Sequence, residues 1–436
     1  MASRFSILQT TDLAGTGVGA GSGFGGGGVG VCARRQKVLA ISEQINNVNT
    51  ALSTRRIILN FTEIKTGFAQ PDVIRHLYVH IPFCPKICPY CTFYKEASDR
   101  NQTQAFLDSL LSELDQRSEF EIQCETIFFG GGTPSALTVK QLEFLLAGLQ
   151  DRLDLSRLRE WTLEMNPATV SLEKARMLLD AGVNRISMGV QSFDPADLVK
   201  LGRVHTAEQA LRSYGILREA GFANVNLDFI FGIPGQTLES WLSTVDKAIS
   251  LRPNHLSAYC LTYEEDTEFF RRLQAGEFQQ NPEQDARFFE TTMNILAAAG
   301  YEQYEISNYS QPGYECLHNI AYWLGSDYLG IGPSAFSTVG KRRWQNVPNT
   351  GEYIEKVRAG IDPISFEEAL TPDLRRSEAI AFGLRTNRGI PEADLQSWGT
   401  HLKELRREGY LEGFDRRVRL TPKGRMVADA IGALFV

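Results

Sequence analysis

Residues 77–91 read Leu77-Tyr-Val-His-Ile-Pro-Phe-Cys84-Pro-Lys-Ile-Cys88-Pro-Tyr-Cys91. The apolar run Leu77–Ile81 reads as a short buried strand. Prolines at 82, 85 and 89 oppose helix, so the cysteines fall in a loop that leaves this strand and wraps whatever they hold. Three thiolates spaced Cys-x3-Cys-x2-Cys are one ligand short of a closed zinc site. They suit a [4Fe–4S] cluster with one iron left open, and an open iron can take a substrate or cofactor. The other cysteines, Cys32, Cys124, Cys260 and Cys316, are scattered. An odd total with one tight cluster argues against a disulfide framework and for a metal site in a reducing compartment.

Outward from that loop the pattern repeats. Further apolar runs predict strands at Thr126–Phe129, Trp161–Met165, Arg185–Val190, Val225–Ile230, His255–Leu261 and Gln303–Ile306. Helical patterns lie between them, over 102–117, 139–149, 172–181, 207–220, 238–251 and 284–299. Three of these helices end in Ala-Gly followed by an apolar residue, where glycine supplies a left-handed cap and the chain turns into a strand. Strand–helix alternation predicts an α/β fold with a parallel sheet, a partial β/α barrel of the TIM type. In such barrels chemistry sits at the C-terminal ends of the strands. The barrel is expected over residues 73–340, a linker over 341–365 and a separate unit over 366–436. That last unit reads as three helices, a β-hairpin at 410–421 and a closing helix, a winged-helix-like module. It carries 12 Lys and Arg against 11 Asp and Glu, too balanced for a nucleic-acid wing.

The whole chain has 436 residues and a net charge of −7, which opposes general binding to a phosphate backbone. No apolar run approaches the roughly 18–20 residues that span a membrane, although peripheral membrane contact stays open. Ten of the 38 glycines fall between Gly15 and Gly30, in a segment unlike the rest. Residues 1–72 therefore read as a disordered or non-native extension. A transit peptide is the other reading, since no acid lies between Asp12 and Glu43 while Arg34, Arg35 and Lys37 do. The expected compartment is the cytoplasm, or an organelle if that peptide is genuine.

The cysteine loop after the first strand of a β/α chain resembles the radical S-adenosylmethionine superfamily, closest to its oxygen-independent coproporphyrinogen III oxidase-like branch. The resemblance runs from about Leu77 to the C-terminus. It implies that Cys84, Cys88 and Cys91 hold the cluster and that the open iron binds the amino and carboxylate groups of S-adenosylmethionine. Electron transfer from the reduced cluster would then release a 5′-deoxyadenosyl radical and would need an electron donor. It further implies that Gly131, Gly132 and Thr133, in Phe129-Gly-Gly-Gly-Thr-Pro134, meet the methionine end of the cofactor. Glu164 would accept from ribose hydroxyls, Gln191, Arg203 and Asp228 would line the pocket, and Tyr78 would pack by the cluster. Tyr90 matches a position that contacts a second cofactor molecule in the oxidase. An Asp such as Asp228 inside an apolar strand is costly without a partner, which independently favours a role.

Two features split this branch. The oxidase carries a fourth cysteine two residues after the third, and here that residue is Phe93. A phenyl ring does no thiol chemistry. Second, Cys316-Leu-His-Asn-Ile-Ala-Tyr-Trp323 resembles the His-Asn-x-x-Tyr-Trp signature of HemW-type haem chaperones. That resemblance implies haem contact by His318, Asn319, Tyr322 and Trp323. His318 would be an axial ligand, Asn319 would fix its imidazole, and Tyr322 and Trp323 would pack on the macrocycle. Cys316 is a second candidate ligand, and Gly330–Phe336 reads as a tight turn near the pocket. The chain is thus expected to bind haem and pass it to an unidentified, respiratory acceptor protein. The alternative is oxidative decarboxylation of coproporphyrinogen III, and whether the cofactor is cleaved stays open.

Overall fold

A computed structural model describes residues 73–97 and 100–436. The expectations for residues 1–72, Cys32 included, fall outside the described residues. The six expected parallel strands form as β1 (Val73–Ile81), β2 (Glu121–Gly131), β3 (Glu160–Met165), β4 (Arg185–Gln191), β5 (Asn224–Phe231) and β6 (His255–Cys260). They pair in chain order, each parallel to the next. Helices α1 (Arg100–Gln116), α2 (Val139–Gln150), α3 (Leu172–Asp180), α4 (Pro195–Lys200), α5 (Ala207–Ala220) and α6 (Leu238–Ser250) fill the connections. Helices α7 (Glu268–Gln274) and α8 (Pro282–Ala298) follow β6.

The strands alternate. Leu77, Val79, Ile127, Phe129, Trp161, Leu163, Ile186, Met188, Val225 and Leu227 are all fully buried and belong to one apolar core. Each such side chain contributes about 1.5–3 kcal/mol through burial. The intervening residues point to the other face. They read Tyr78 and His80, Thr126 and Phe128, Glu160 and Glu164, Arg185 and Ser187, Asn226 and Asp228, His255 and Ser257. That face is the barrel lumen, and it is polar.

The expected seventh parallel strand does not form. Only Glu302–Gln303 is extended (β7), and Asn308–Ser310 (β8) pairs antiparallel to β6 and to β7. The chain between them turns because Glu305 accepts from the Ser307 amide at 3.0 Å. The chain then enters α9 (Leu317–Trp323) and returns as β9 (Leu329–Ile331), parallel to β1. The strand order is β9-β1-β2-β3-β4-β5-β6-β8-β7, so the barrel is open between β9 and β7.

The segment 341–365 is not a linker. It forms β11 (Arg342–Asn346), paired with β10 (Phe336–Val339) and β12 (Ile364–Ala369), and α10 (Thr350–Arg358). Trp344 and Tyr353 are buried. Glu113 of α1 accepts from Tyr353 Oη at 2.6 Å and Asn346 Nδ2 at 2.7 Å, which ties the segment to the barrel. The last unit begins with α11 (Pro372–Gly383) and contains α12 (Gly399–Arg407). Its sheet joins β13 (Ile390–Pro391), β14 (Leu411–Phe414) and β15 (Arg417–Leu420). Among the described residues no helix is long and apolar enough to cross a membrane.

Candidate functional site

The cysteine loop leaves the C-terminal end of β1 and closes where Phe83–Cys84 pairs in parallel with Glu96–Ala97. The Cys91 amide donates to the Cys88 carbonyl at 3.2 Å. Cys84 Sγ lies 3.5 Å from Thr133 Oγ1, and Arg203 Nη1 lies 3.7 Å from Cys88 Sγ. Burial pushes the Cys84 thiol up to about 11, against the Thr133 hydrogen bond and with added repulsion from Cys91 and Cys88. Among the described residues no three His, Cys, Asp or Glu side chains converge as one metal ion requires. A [4Fe–4S] cluster makes a different demand, because each thiolate takes a separate iron. Three thiols close enough to repel one another, in a proline-stiffened loop beside a guanidinium, fit that group.

The glycine run is locked to this loop. The Gly132 amide donates to the Ile81 carbonyl at 2.7 Å and the Thr133 amide to the Phe83 carbonyl at 2.9 Å. A Cβ at Gly132 would stand 2.5 Å from the Pro82 oxygen, and one at Gly131 would stand 2.5 Å from the His80 ring. Gly131 also has φ of 105°, so only glycine serves at both positions. Glu164, at the end of β3, accepts from the Gly131 amide. Its carboxyl is pushed up to about 7, first by burial and then by the charge of Asp228. Asp228 is itself raised by burial, although Ser187 Oγ at 2.9 Å and Asn226 Nδ2 at 2.8 Å donate to it. Gln191 ends β4 with φ of 69°, a strained backbone for a residue with a side chain. Arg203 Nη2 donates to the Gly189 carbonyl at 2.8 Å, while its Nε is buried without a partner.

Helix α9 enters the lumen from below. Its N-terminus is gripped by Glu160, the first residue of β3. That carboxylate accepts from the Leu317 amide at 2.8 Å, the His318 amide at 3.1 Å and Cys316 Sγ at 3.3 Å. The arrangement matches the need for an acceptor at the unpaired amides of a helix start. It also bears on two expectations. Cys316 is fully buried, and its thiol is spent on Glu160. His318 is 1% exposed, and both its ring nitrogens are engaged. Its Nδ1 lies 2.7 Å from Thr126 Oγ1 and its Nε2 lies 3.0 Å from Tyr322 Oη. Its ring stacks on Phe128 with centroids 5.2 Å apart. An axial ligand needs a free nitrogen facing the metal, and His318 offers none here. The imidazole is held by Thr126 and Tyr322, not by Asn319.

The remaining residues meet. A cavity of about 320 Å³ is lined by Tyr78, Cys91, Gly131, Gly132, Thr133, Glu164, Gln191, Arg203 and Asp228, and equally by Asn319, Tyr322 and Trp323. Phe93 and Tyr90 line it too, with Phe336 from the start of β10, whereas Cys84, Cys88 and His318 are not part of the lining. Trp323 Nε1 is a buried donor without a partner. Sequence reasoning missed Glu160 and Arg185, which look like ordinary strand starts. The signal available was the inward parity they share with Glu164 and Gln191.

A sequence model of the Radical SAM superfamily matches residues 78–248, and one of the HemN C-terminal domain matches residues 370–427. The "Heme chaperone HemW" of Lactococcus lactis is 37% identical over 370 residues, covering 82% of this chain and 96% of that protein. The protein of the same name from Bacillus subtilis is 34% identical, covering 83% and 99%. Among solved structures, coproporphyrinogen III oxidase (HemN) from Escherichia coli superposes with a TM-score of 0.72 at 26% identity. That match covers 84% of this chain and 90% of the other.

His318→Ala should lower the stability of the ligand-free protein by about 2–4 kcal/mol, since a packed ring and two hydrogen bonds are lost. Urea unfolding measures it, and an unchanged midpoint would mark the ring as loosely held. Glu164 yields a pH dependence. Its folded pKa of about 7 exceeds the ordinary value of 4.5, so the unfolded chain sheds this proton first. Stability of the empty protein should therefore fall as pH rises through that window, by about 3 kcal/mol from this group. Unfolding midpoints between pH 4.5 and 7 should show the slope in the wild type and a weaker one in Glu164→Gln.

Proposed function

The chain belongs to the HemW family of radical S-adenosylmethionine proteins, and from that premise we propose that it binds haem in the lumen cavity and passes it to an acceptor protein. Family membership brings a [4Fe–4S] cluster and S-adenosylmethionine. When bound, the cluster supplies a reducing electron and an open iron for the cofactor's amino and carboxylate groups. Cys84, Cys88 and Cys91 hold it in this proposal, with Tyr78 packed beside it.

The remaining assignments follow from what each group can do. The bare backbone at Gly131 and Gly132 lets the methionine end approach closely because no side chain intervenes, and Thr133 stands beside it. Glu164 in its ionised form accepts from ribose hydroxyls, and Gln191, Arg203 and Asp228 complete the polar wall. Tyr322 and Trp323 offer aromatic faces to the macrocycle, and the unpartnered Trp323 Nε1 offers a donor to its edge. Asn319 adds an amide to the same wall. His318 acts through Tyr322 as a positioning residue, because its nitrogens are already spent.

The observation that carries the proposal is the single cavity shared by both sets of residues. Phe93 lines that cavity where oxidase chemistry asks for a thiol, and this favours carriage over decarboxylation. The finer parts of the proposal are a respiratory acceptor, the cytoplasm as compartment and an electron donor for the cluster. Anaerobically reconstituted full-length protein with S-adenosylmethionine should give a haem Soret band on titration and form no protoporphyrinogen from coproporphyrinogen III. Turnover to protoporphyrinogen under reducing conditions would overturn the proposal in favour of the oxidase.

A further inference from the structure

Arg185 is out of keeping with its surroundings. It opens β4, is 2% exposed and lines the cavity. A guanidinium carries five N–H donors and no acceptor, and in a dry interior each needs a partner. Arg203, Arg117 and Arg343 in the same fold all find carbonyl or carboxylate oxygens. Arg185 donates no hydrogen bond and forms no ion pair among the described residues, and its Nε is buried without a partner.

The nearby carboxylates do not fill this gap. Glu160 and Asp228 act on Arg185 electrostatically, as do Cys316 and Tyr304. Glu160 spends its oxygens on Cys316 and the α9 amides, and Asp228 spends its own on Ser187 and Asn226. Both carboxylates lie near the guanidinium without occupying its fork. A planar fork of free donors, facing a cavity, has the geometry for a bidentate carboxylate.

Which carboxylate follows from position. At about 3.3 Å per residue, the start of β4 is roughly 20 Å from Gln191 at its end, where the cluster loop lies. A carboxylate chelated at the cluster therefore lies toward the opposite end of the lumen from the Arg185 backbone, although the guanidinium acts on Glu164 and Asp228 between them. Arg185 instead lies by Cys316 and Glu160, at the root of α9, whose outer turn carries Tyr322 and Trp323. We propose that Arg185 is a carboxylate-binding residue that takes a propionate of the tetrapyrrole from the lumen floor. This rests on the haem reading and adds a polar anchor to it.

Haem and its dimethyl ester, titrated into reconstituted full-length protein and followed by the Soret band, test this. The ester keeps the iron and ring but has no carboxylate. The wild type should bind free haem roughly tenfold or more tighter than the diester, the range expected of a charge-assisted pair. Arg185→Gln should weaken free haem alone and largely erase the ratio. Equal affinities in the wild type overturn the inference without recourse to any variant, as does a ratio that Arg185→Gln leaves intact. If the variant loses S-adenosylmethionine affinity while keeping its haem preference, the carboxylate is that of the cofactor and the propionate assignment is overturned. Failure of the wild type to bind either porphyrin defeats the haem reading itself, and this inference with it.

Discussion

Every second residue of six parallel strands points into a lumen that water cannot freely fill, and each polar group placed there must find a partner. The outward residues are apolar and pack beneath the helices. The inward ones include two Glu, an Asp, an Arg and two His. Such an interior is stable only if it is cross-linked, plugged or occupied. This chain uses all three solutions at different heights. Asn226, His255 and Tyr304 form a closed hydrogen-bonded chain, with links of 2.7 and 2.8 Å. Helix α9 plugs the floor. The space above that plug stays open, and the unpartnered donors of Arg185 at its floor, Arg203 and Trp323 line it.

The plug also joins the two halves of the cavity. Tyr78 stacks on Phe128, Phe128 stacks on His318, and His318 bonds Tyr322. One strand serves both ends as well. Glu160 holds the root of α9, and four residues on along the same face Glu164 meets the glycine run. Movement of the wall that α9 forms would therefore be felt at Glu164 and the glycine run, through contacts rather than distance. His318 gains its meaning here. It is the fastening between a fixed sheet and a tyrosine that faces the open space.

Much of this was legible in the chain. The cysteine spacing, the glycine run and the strand–helix alternation are local patterns, so each strand of the parallel series and the cavity-lining residue at its end could be read from its own neighbourhood. What escaped was tertiary. His318 lies in a seven-residue helix whose burial depends on threading the barrel, which no local period reveals. Residues 341–365 looked like a linker because their fixing points, Trp344 and Tyr353, find partners more than two hundred residues earlier. Glu160 and Arg185 were hidden at strand starts, although barrel chemistry is expected at strand ends. Their inward parity was visible, but its significance depends on what the lumen contains.

Hydrogen exchange of the full-length reconstituted protein, with and without haem, tests most directly whether haem occupies the lumen beside α9. Haem should slow exchange at the amides of residues 317–325 and at the ends of β2 to β4 that frame the cavity. Unchanged exchange in those segments, with protection confined to residues 370–436, would contradict a lumen-bound haem and place it on the C-terminal unit instead.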